Sequence, residues 1–255
     1  MKTTALLIKR DEMSGQKNIG AERQLDHDAV REFYDDFYYR GIMNRNSPGF
    51  HLRRLARRLD PWIGQRALDV ACGPGNWLQV IAERGAITAG IDISQVALNV
   101  CRKAVPDAEL HCGPAERLPF ADRQFDFISC LGALEHFLDI EGSLREMIRV
   151  AKTSASILFL VPNADFLPSR LGLYNGTLQA AIKEQALSLL DWEELFESAG
   201  LRVKARWKDL HVISTAWIFR GAFYAWPLRA AQAVALPFWP LNWQYQVYYL
   251  CVLIK

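Results

Sequence analysis

Short apolar runs alternate with helix-spaced apolar positions through the middle of the chain. The runs predict strands at about 67–71, 87–91, 108–112, 125–130 and 156–161. Apolar positions three and four residues apart predict helices between them, at about 75–84, 94–104 and 139–151. Because strands and helices alternate, we expect a mainly parallel sheet with helices on both faces, and ligands bound beyond the carboxyl ends of its strands.

The two ends of the chain have different patterns. Residues 1–25 are polar, and we expect them to be flexible, whereas residues 26–60 have helical spacing that stops at Pro61. The second half of that segment is basic. Towards the C-terminus the pattern predicts a helix at 191–199 with Asp191 as its N-cap. Two strand-like runs follow, at 201–207 and 244–254.

Composition narrows the class of protein. The 255 residues are 51% hydrophobic, which suits one α/β domain with additions. The net charge of +2 gives no case for nucleic-acid binding. The five cysteines form no CxxC pair, so we expect reduced thiols in the cytoplasm and no metal site. No apolar run reaches the roughly eighteen residues of a spanning helix, and the N-terminal run is too short for a signal peptide.

The segment ALDVACGPGNW, at 67–77, is the most informative motif. It combines a strand, a glycine turn and the start of a helix, the opening of a unit that binds a nucleotide-like ligand. Asp92 ends the next strand, where a carboxylate can accept both hydroxyls of a ribose. A dinucleotide site uses G-x-G-x-x-G, whereas here Asp69 stands inside the motif. That acid would repel a pyrophosphate but suits a ligand that carries an ammonium group.

The pattern Asp69-x-Ala71-x-Gly73-x-Gly75 resembles motif I of the class I S-adenosylmethionine-dependent methyltransferases, with alanine for the first glycine. Further segments carry the resemblance. GPAERLPFADRQFDFISC, at 113–130, is similar to the family's G-D-A-x-x-L-P-F stretch, and Glu135-His136 and a strand that ends in Pro-Asn follow as in the family. The usual K-P-G-G turn is K-T-S-A here. The chain resembles the large group of small-molecule enzymes that includes the ubiquinone- and menaquinone-type methyltransferases.

This resemblance implies a Rossmann-like α/β fold, with a seven-stranded, mostly parallel sheet whose last strand is antiparallel. It also implies S-adenosyl-L-methionine as the cofactor. Asp69 and the turn would hold the methionine end, and Asp92 the ribose. Pro114 replaces the family's adenine-binding aspartate, so Glu116 and the Ala115 N–H are the candidates there. The implied cofactor-binding residues are Tyr34, Asp69, Ala71, Gly73, Gly75, Asp92, Ile93, Ala115, Glu116 and Leu131, of which Ile93 and Leu131 would enclose the adenine and Tyr34 would cover the cofactor.

A general base is the open part of the chemistry. His136 follows the fourth strand on the substrate side and is our candidate base for O- or N-methyl transfer. The alternatives are that His136 is structural, that Glu135 or His211 serves instead, or that no base is needed. The sequence does not distinguish O-, N- and C-methylation.

We expect residues 1–60 to form a flexible segment and cofactor-covering helices, and residues 61–255 the methyltransferase domain. A lid insertion at about 163–190 offers polar side chains at Arg170, Tyr174, Asn175, Thr177 and Gln179. An apolar helical excursion at about 211–243 is rich in tryptophan and phenylalanine. One interpretation is packing over the sheet or at a dimer interface. The other is peripheral binding to the inner face of a membrane, with arginines of the N-terminal segment adding attraction.

The hypothesis is therefore methyl transfer to a small-molecule acceptor, lipophilic or lipid-linked, by a monomer or homodimer. One alternative is a transferase that uses a donor derived from S-adenosylmethionine, as in aminopropyl transfer. A nicotinamide oxidoreductase is disfavoured by the acid in the motif. A non-catalytic partner subunit is disfavoured by the intact glycine turn and Asp92.

Overall fold

A computed structural model describes residues 26–39, 48–60, 62–172, 185–211, 213, 218–219 and 223–254. The N-terminal 25 residues, which we predicted to be flexible, lie outside these ranges, as does Pro61. So do Tyr174, Asn175, Thr177 and Gln179 of the predicted lid.

The described chain forms one seven-stranded sheet in the order β3-β2-β1-β4-β5-β7-β6. The pairs formed among strands β1 to β5 are all parallel, whereas β7 lies between β5 and β6 and is antiparallel to both. This arrangement confirms the predicted fold class. The strands are β1 (Arg66–Val70), β2 (Ile87–Asp92), β3 (Glu109–Cys112), β4 (Phe125–Leu131), β5 (Ala151–Pro162), β6 (Leu201–Lys208) and β7 (Gln246–Leu253).

Helices connect the strands and cover the sheet. The described parts of residues 26–60 are mostly helical, in keeping with the prediction, and the first α-helix continues into a π-helical turn at Tyr34–Tyr38. The α-helices are α1 (His27–Phe33), α2 (Phe50–Arg58), α3 (Asn76–Ala82), α4 (Gln95–Ala104), α5 (Ile140–Val150), α6 (Leu167–Arg170), α7 (Leu189–Ser198) and α8 (Trp226–Ala235). In the described part of the chain, no helix has the length and apolar character needed to cross a membrane.

Two local predictions need correction. Ser94 caps α4 as expected, but the N-cap of α7 is Ser188 and not Asp191. The Ser188 hydroxyl accepts the Asp191 N–H and the Asp191 carboxylate accepts the Ser188 N–H, which makes a capping box that starts the helix earlier. Strand β5 also starts earlier than position 156, because Lys152–Ala155 lacks the family's turn glycines and continues as strand.

The two faces of the sheet bury separate apolar clusters. Successive side chains of a strand point to opposite faces, so Leu68 belongs to one cluster and Ala67 to the other. Trp192 and Phe196 of α7 pack in the first cluster, and Trp77 of α3 packs in the second. Because the strands are buried on both sides, the polar residues at their carboxyl ends are fixed in place.

Candidate active site

A cavity opens where the carboxyl ends of β1, β2 and β4 meet. The sheet order reverses here, since β1 lies between β2 and β4, and such a switch point leaves a crevice. We call it the first cavity. Most predicted site residues line it, namely Tyr34, Ala71, Gly73, Asp92, Ile93, Ala115, Glu116, Leu131 and the candidate base His136.

The turn after β1 brings backbone close to Asp92. Gly73 has φ +53°, and its N–H donates to Asp92 Oδ2 at 2.7 Å. The Ser94 N–H donates to Asp92 Oδ1 at 2.8 Å. Burial raises the pKa of Asp92 to about 6, against the effect of these hydrogen bonds. Each oxygen keeps a second acceptor direction, so the carboxylate can still receive two hydroxyl donors.

Gly75 does not line the first cavity, so our reason for this glycine was incomplete. It is the N-cap of α3 at φ +83°, and an added Cβ would lie 2.4 Å from Cys101 Sγ. The glycine therefore allows α3 and α4 to approach each other. At Gly73, by contrast, an added Cβ would point towards the hydroxyl of Tyr39, at 3.0 Å. That position does need bare backbone on the cavity side.

Asp69 lies in a neighbouring second cavity rather than in the first. Its Oδ1 accepts from Ser129 Oγ at 2.6 Å, and Trp77 Nε1 donates to the same hydroxyl at 3.0 Å. Burial raises the pKa of Asp69 to about 7, the Ser129 bond opposes this, and Asp92 adds to it. A buried acid of this kind favours a bound cation over solvent.

Three cavities adjoin each other. The first and second share the wall formed by Ala71, Cys72, Pro74 and Leu131. The second continues into an outer groove, with which it shares His51, Asp209 and Tyr248. The outer groove reaches Arg54 and Arg58 of α2, Lys208 of β6, and Pro237 beyond α8.

The N-terminal helices form a roof over the first cavity. His27 Nε2 lies 3.2 Å from Glu116 Oε2, and Arg31 Nε donates to the Ile93 carbonyl at 3.3 Å. Asp35 accepts from the Ser94 hydroxyl and from the Val96 N–H. The roof is therefore tied to the loops after β2 and β3.

The adenine-side candidates are partly engaged by the protein. Glu116 Oε1 accepts the N–H groups of Leu138 and Asp139, at 3.1 and 3.2 Å. His136 is buried in the turn after β4, with its Nε2 3.9 Å from Glu135 Oε1.

All five cysteines are free. Among the described residues, no group of three or more His, Cys, Asp or Glu side chains is arranged to hold a metal ion.

Comparison with known proteins agrees with this geometry. A family model described as "Methyltransferase domain" matches residues 68–159. A demethylmenaquinone methyltransferase of Corynebacterium urealyticum is 29% identical over 71% of this chain and 77% of its own. A ubiquinone biosynthesis O-methyltransferase of Alkalilimnicola ehrlichii is 31% identical over 61% of this chain and 64% of its own.

These matches support the class I S-adenosylmethionine-dependent methyltransferase family that the sequence resembles. Solved structures share the methyltransferase fold. A chain of the complex between the Haloferax volcanii Trm112 methyltransferase activator and a methyltransferase has a TM-score of 0.66 at 20% identity, over 89% of this chain and 98% of that one. Magnesium protoporphyrin IX methyltransferase of Synechocystis has a TM-score of 0.61 at 13% identity, over 90% and 100%. The alternatives of a partner subunit or another donor gain no support from these matches.

The residues that line the first cavity fit S-adenosylmethionine. It offers bare backbone at Gly73, a carboxylate at Asp92 and an apolar wall at Ile93 and Leu131, while Asp69 lies just across the shared wall. A pyrophosphate would be repelled by these two buried acids, which explains why the site differs from a dinucleotide site.

Sequence reasoning missed several residues of this site. Tyr38 and Tyr39 also line the first cavity and form a cluster with Tyr34, with ring centroids 5.1–6.0 Å apart. Burial raises the pKa of Tyr39 well above its usual range. The repeated tyrosines were visible in the sequence, but the π-helical turn that brings three of them together was not.

Proposed function

We propose that this methyltransferase transfers the methyl group of S-adenosylmethionine to a lipophilic small-molecule acceptor taken from the inner face of a membrane. The observation that carries the proposal is that three cavities adjoin: the first shares lining residues with the second, the second with the outer groove, and the outer groove reaches Pro237 beside an exposed apolar segment around α8. This arrangement lies between a hydrophobic surface and the proposed site of the chemistry.

Each cofactor contact follows from the position of a side chain. Asp92 receives the ribose hydroxyls, and Asp69 attracts the ammonium group across the wall formed by Ala71, beside the bare backbone of Gly73. Ile93 and Leu131 enclose the adenine. In this proposal Gly75 acts indirectly, by letting α3 begin where the turn ends.

The adenine edge and the roof complete the cofactor contacts. The Ala115 N–H and Glu116 are proposed to meet the adenine, and Tyr34 to cover the cofactor from the roof. These assignments rest on positions in the cavity wall, where Glu116 also links the roof to the loop after β4.

When bound, the cofactor supplies a methyl group already activated on a sulfonium. The protein therefore has to position and enclose the reactants rather than form a covalent intermediate. The roof excludes water from the first cavity through its ties to Glu116, Ile93 and Ser94. The wall at Leu131 borders both cavities, so it separates the donor from the acceptor while leaving their reacting ends adjacent.

The segment around α8 exposes several large apolar side chains to solvent. Phe238 is 88% exposed, and Leu228 and Phe223 are each 75% exposed. Other exposed members of the same segment are Phe219, Tyr224, Trp226, Val234 and Trp243. So many exposed large apolar side chains in one segment favour a binding surface, and an aromatic-rich one suits a membrane interface.

Basic side chains flank the same entrance. Arg54, Arg57 and Arg58 are exposed on α2, and Arg58 stacks over Trp207 at 4.3 Å. Lys208 Nζ donates to the Leu236 and Pro237 carbonyls, which fixes the end of the α8 segment beside the groove. Anionic headgroups would add to the apolar attraction there. The quinone-type names of the relatives are in keeping with a lipophilic acceptor.

The role of His136 as a general base stays a prediction. Its ring lies in the wall of the first cavity and does not line the second. A transfer in which His136 is the base requires the acceptor to reach into the first cavity. His136→Ala should then lower turnover far more than cofactor affinity.

A two-part experiment tests the proposal. First, co-sedimentation with vesicles containing phosphatidylglycerol should capture the wild type, and Leu228→Gln combined with Phe238→Ser should lower capture at least fivefold. Ile63→Ser, on an exposed residue beside Gly85 and outside the α8 segment, should leave capture unchanged. Second, methyl-tritiated cofactor added to a membrane extract should label material that partitions into organic solvent.

The alternative is that the α8 segment forms a homodimer interface. If it does not, we expect a monomer. Sedimentation velocity separates the two. A wild-type dimer that Leu228→Gln with Phe238→Ser converts to a monomer, together with no vesicle binding and label only in water-soluble products, would replace the membrane proposal.

A further inference from the structure

We infer that the second cavity receives a phenolic hydroxyl acceptor and that His211, oriented by Asp209, removes its proton. This inference rests on the proposed function, because it takes the first cavity as the donor site. It differs from the His136 prediction in the cavity and in the residue.

His211 is held in one orientation by a buried carboxylate. Its Nδ1 is hydrogen-bonded to Asp209 Oδ2, and its own N–H donates to Asp209 Oδ1 at 3.2 Å. The Asp209 side chain is only 3% exposed, whereas that of His211 is 37% exposed. Because Nδ1 donates to the carboxylate, Nε2 is the nitrogen left with a basic lone pair.

The backbone around the pair is fixed as well. The Asp209 N–H donates to the Gln246 carbonyl at 3.2 Å, and Gln244 Nε2 donates to the Asp209 carbonyl at 3.1 Å. Both partners lie at the start of β7, so the pair is attached to the central sheet although it follows β6 in the chain. A carboxylate that fixes the tautomer and stabilises the protonated ring is the arrangement that general-base histidines use.

Other titratable groups line the cavities that hold the pair, including Asp69, Arg54, Arg58 and Lys208. His51 of α2 faces His211 with ring centroids 6.3 Å apart. Burial lowers the pKa of His51. Asp209 raises that pKa and His211 lowers it, and both effects are smaller than that of burial. Burial, with a smaller effect of Asp209, raises the pKa of Tyr248 well above its usual range. Asp69 lies in the wall of the same cavity.

The walls of the second cavity define the class of acceptor. Trp77, Leu160 and Tyr248 supply apolar and aromatic surface, and Asn76 and Gln246 supply polar groups. Flat apolar walls with a few polar groups suit an aromatic ring that carries hydroxyl or carbonyl substituents. Leu131 belongs to both cavities, so a ring held here lies next to the donor site.

The step balances without a further reactant. His211 Nε2 accepts the proton of the hydroxyl, and an oxygen electron pair forms the bond to the methyl carbon. The carbon–sulfur bond breaks with its pair remaining on sulfur, giving an aryl methyl ether and S-adenosylhomocysteine. The part-exposed imidazolium then releases its proton to solvent.

Histidine NMR tests the geometry without turnover. With the imidazole nitrogens labelled with ¹⁵N, His211 should show the tautomer protonated at Nδ1, and Asp209→Asn should weaken that preference. Catechol added to the complex with S-adenosylhomocysteine should shift the His211 and His51 signals. His111, on the edge strand β3, should not shift.

Turnover of catechol with methyl-tritiated cofactor supplies the second readout. His211→Asn should lower kcat about 100-fold and Asp209→Asn about 10-fold, with the cofactor Kd changed less than twofold. His111→Asn is the matched control and should keep the wild-type rate.

The outcomes separate the inference from the proposed function. Wild-type turnover in His211→Asn, or catechol that neither shifts His211 nor becomes methylated while S-adenosylhomocysteine binds, would overturn the inference alone. If His136→Asn loses turnover and His211→Asn keeps it, the base role would return to His136. Failure of S-adenosylhomocysteine to bind at all would instead remove the donor site and the proposed function.

Discussion

Ser129 Oγ donates to Asp69 Oδ1 at 2.6 Å, and both residues are buried. No basic side chain is among the groups that shift the pKa of Asp69. A neutral hydroxyl compensates only partly for removing a carboxylate from water. Burial therefore disfavours the ionised form of Asp69, and a bound cation would favour it.

Asp69→Asn should stabilise the ligand-free protein at pH 8. Burial raises the folded-state pKa of Asp69 from 3.8 to about 7, so folding favours its protonated form. That contribution is present below the unfolded pKa and is lost as pH rises through about 7. Urea unfolding should give the variant about 2 kcal/mol more stability at pH 8 and little difference at pH 4. A variant less stable than the wild type at pH 8 would contradict the assignment.

The same substitution should weaken cofactor binding. If Asp69 attracts the ammonium group, Asp69→Asn should raise the calorimetric Kd for S-adenosylmethionine about tenfold at pH 8. The difference should shrink at pH 6, where protonation of the wild-type acid weakens its own binding. Equal Kd values for wild type and variant at pH 8 would place the ammonium elsewhere.

Ala71→Gly should make the protein more stable. Ala71 has φ +60°, a left-handed conformation that costs a side chain about 1–2 kcal/mol. Glycine relieves that strain but gains unfolded-state entropy, so the expected net gain is about 0.5–1 kcal/mol in urea unfolding. Ala97→Gly, inside α4, is the control and should destabilise by about 1 kcal/mol. Destabilisation in both variants would show that Ala71 is not strained.

Asp35→Ala should loosen the roof. Asp35 accepts from the Ser94 hydroxyl and the Val96 N–H, which tie the π-helical turn to the start of α4. Its loss should raise the Kd for S-adenosylhomocysteine roughly fivefold, mainly through faster dissociation in stopped-flow fluorescence. Glu32→Ala, exposed on α1, removes the same charge without that contact and should dissociate at the wild-type rate.

The sheet and most of the cavity wall could be predicted because they depend on local pattern. The alternation of apolar runs defines the strands, and it places Asp69 and Asp92 near the carboxyl ends of the adjacent strands β1 and β2. Parallel strands with helices between them leave few topologies, so the switch point was predictable once the strands were known.

Features that depend on distant contacts were not predictable. The reason for Gly75 is Cys101, which lies on another helix. The N-cap of α7 was misassigned because Ser188 and Asp191 both suit the start of a helix, and only the reciprocal hydrogen bonds distinguish the cap from the third position. The Asp209–His211 pair comes to the second cavity only because β7 inserts beside β6.

The most direct test of the central claim is a calorimetric titration of the purified chain with S-adenosylhomocysteine, repeated with Asp92→Asn. We predict saturable one-to-one binding to the wild type and a Kd raised about tenfold in the variant, which loses a charged acceptor for the ribose hydroxyls. No heat with S-adenosylhomocysteine, together with tight binding of NADH, would contradict the account of this site.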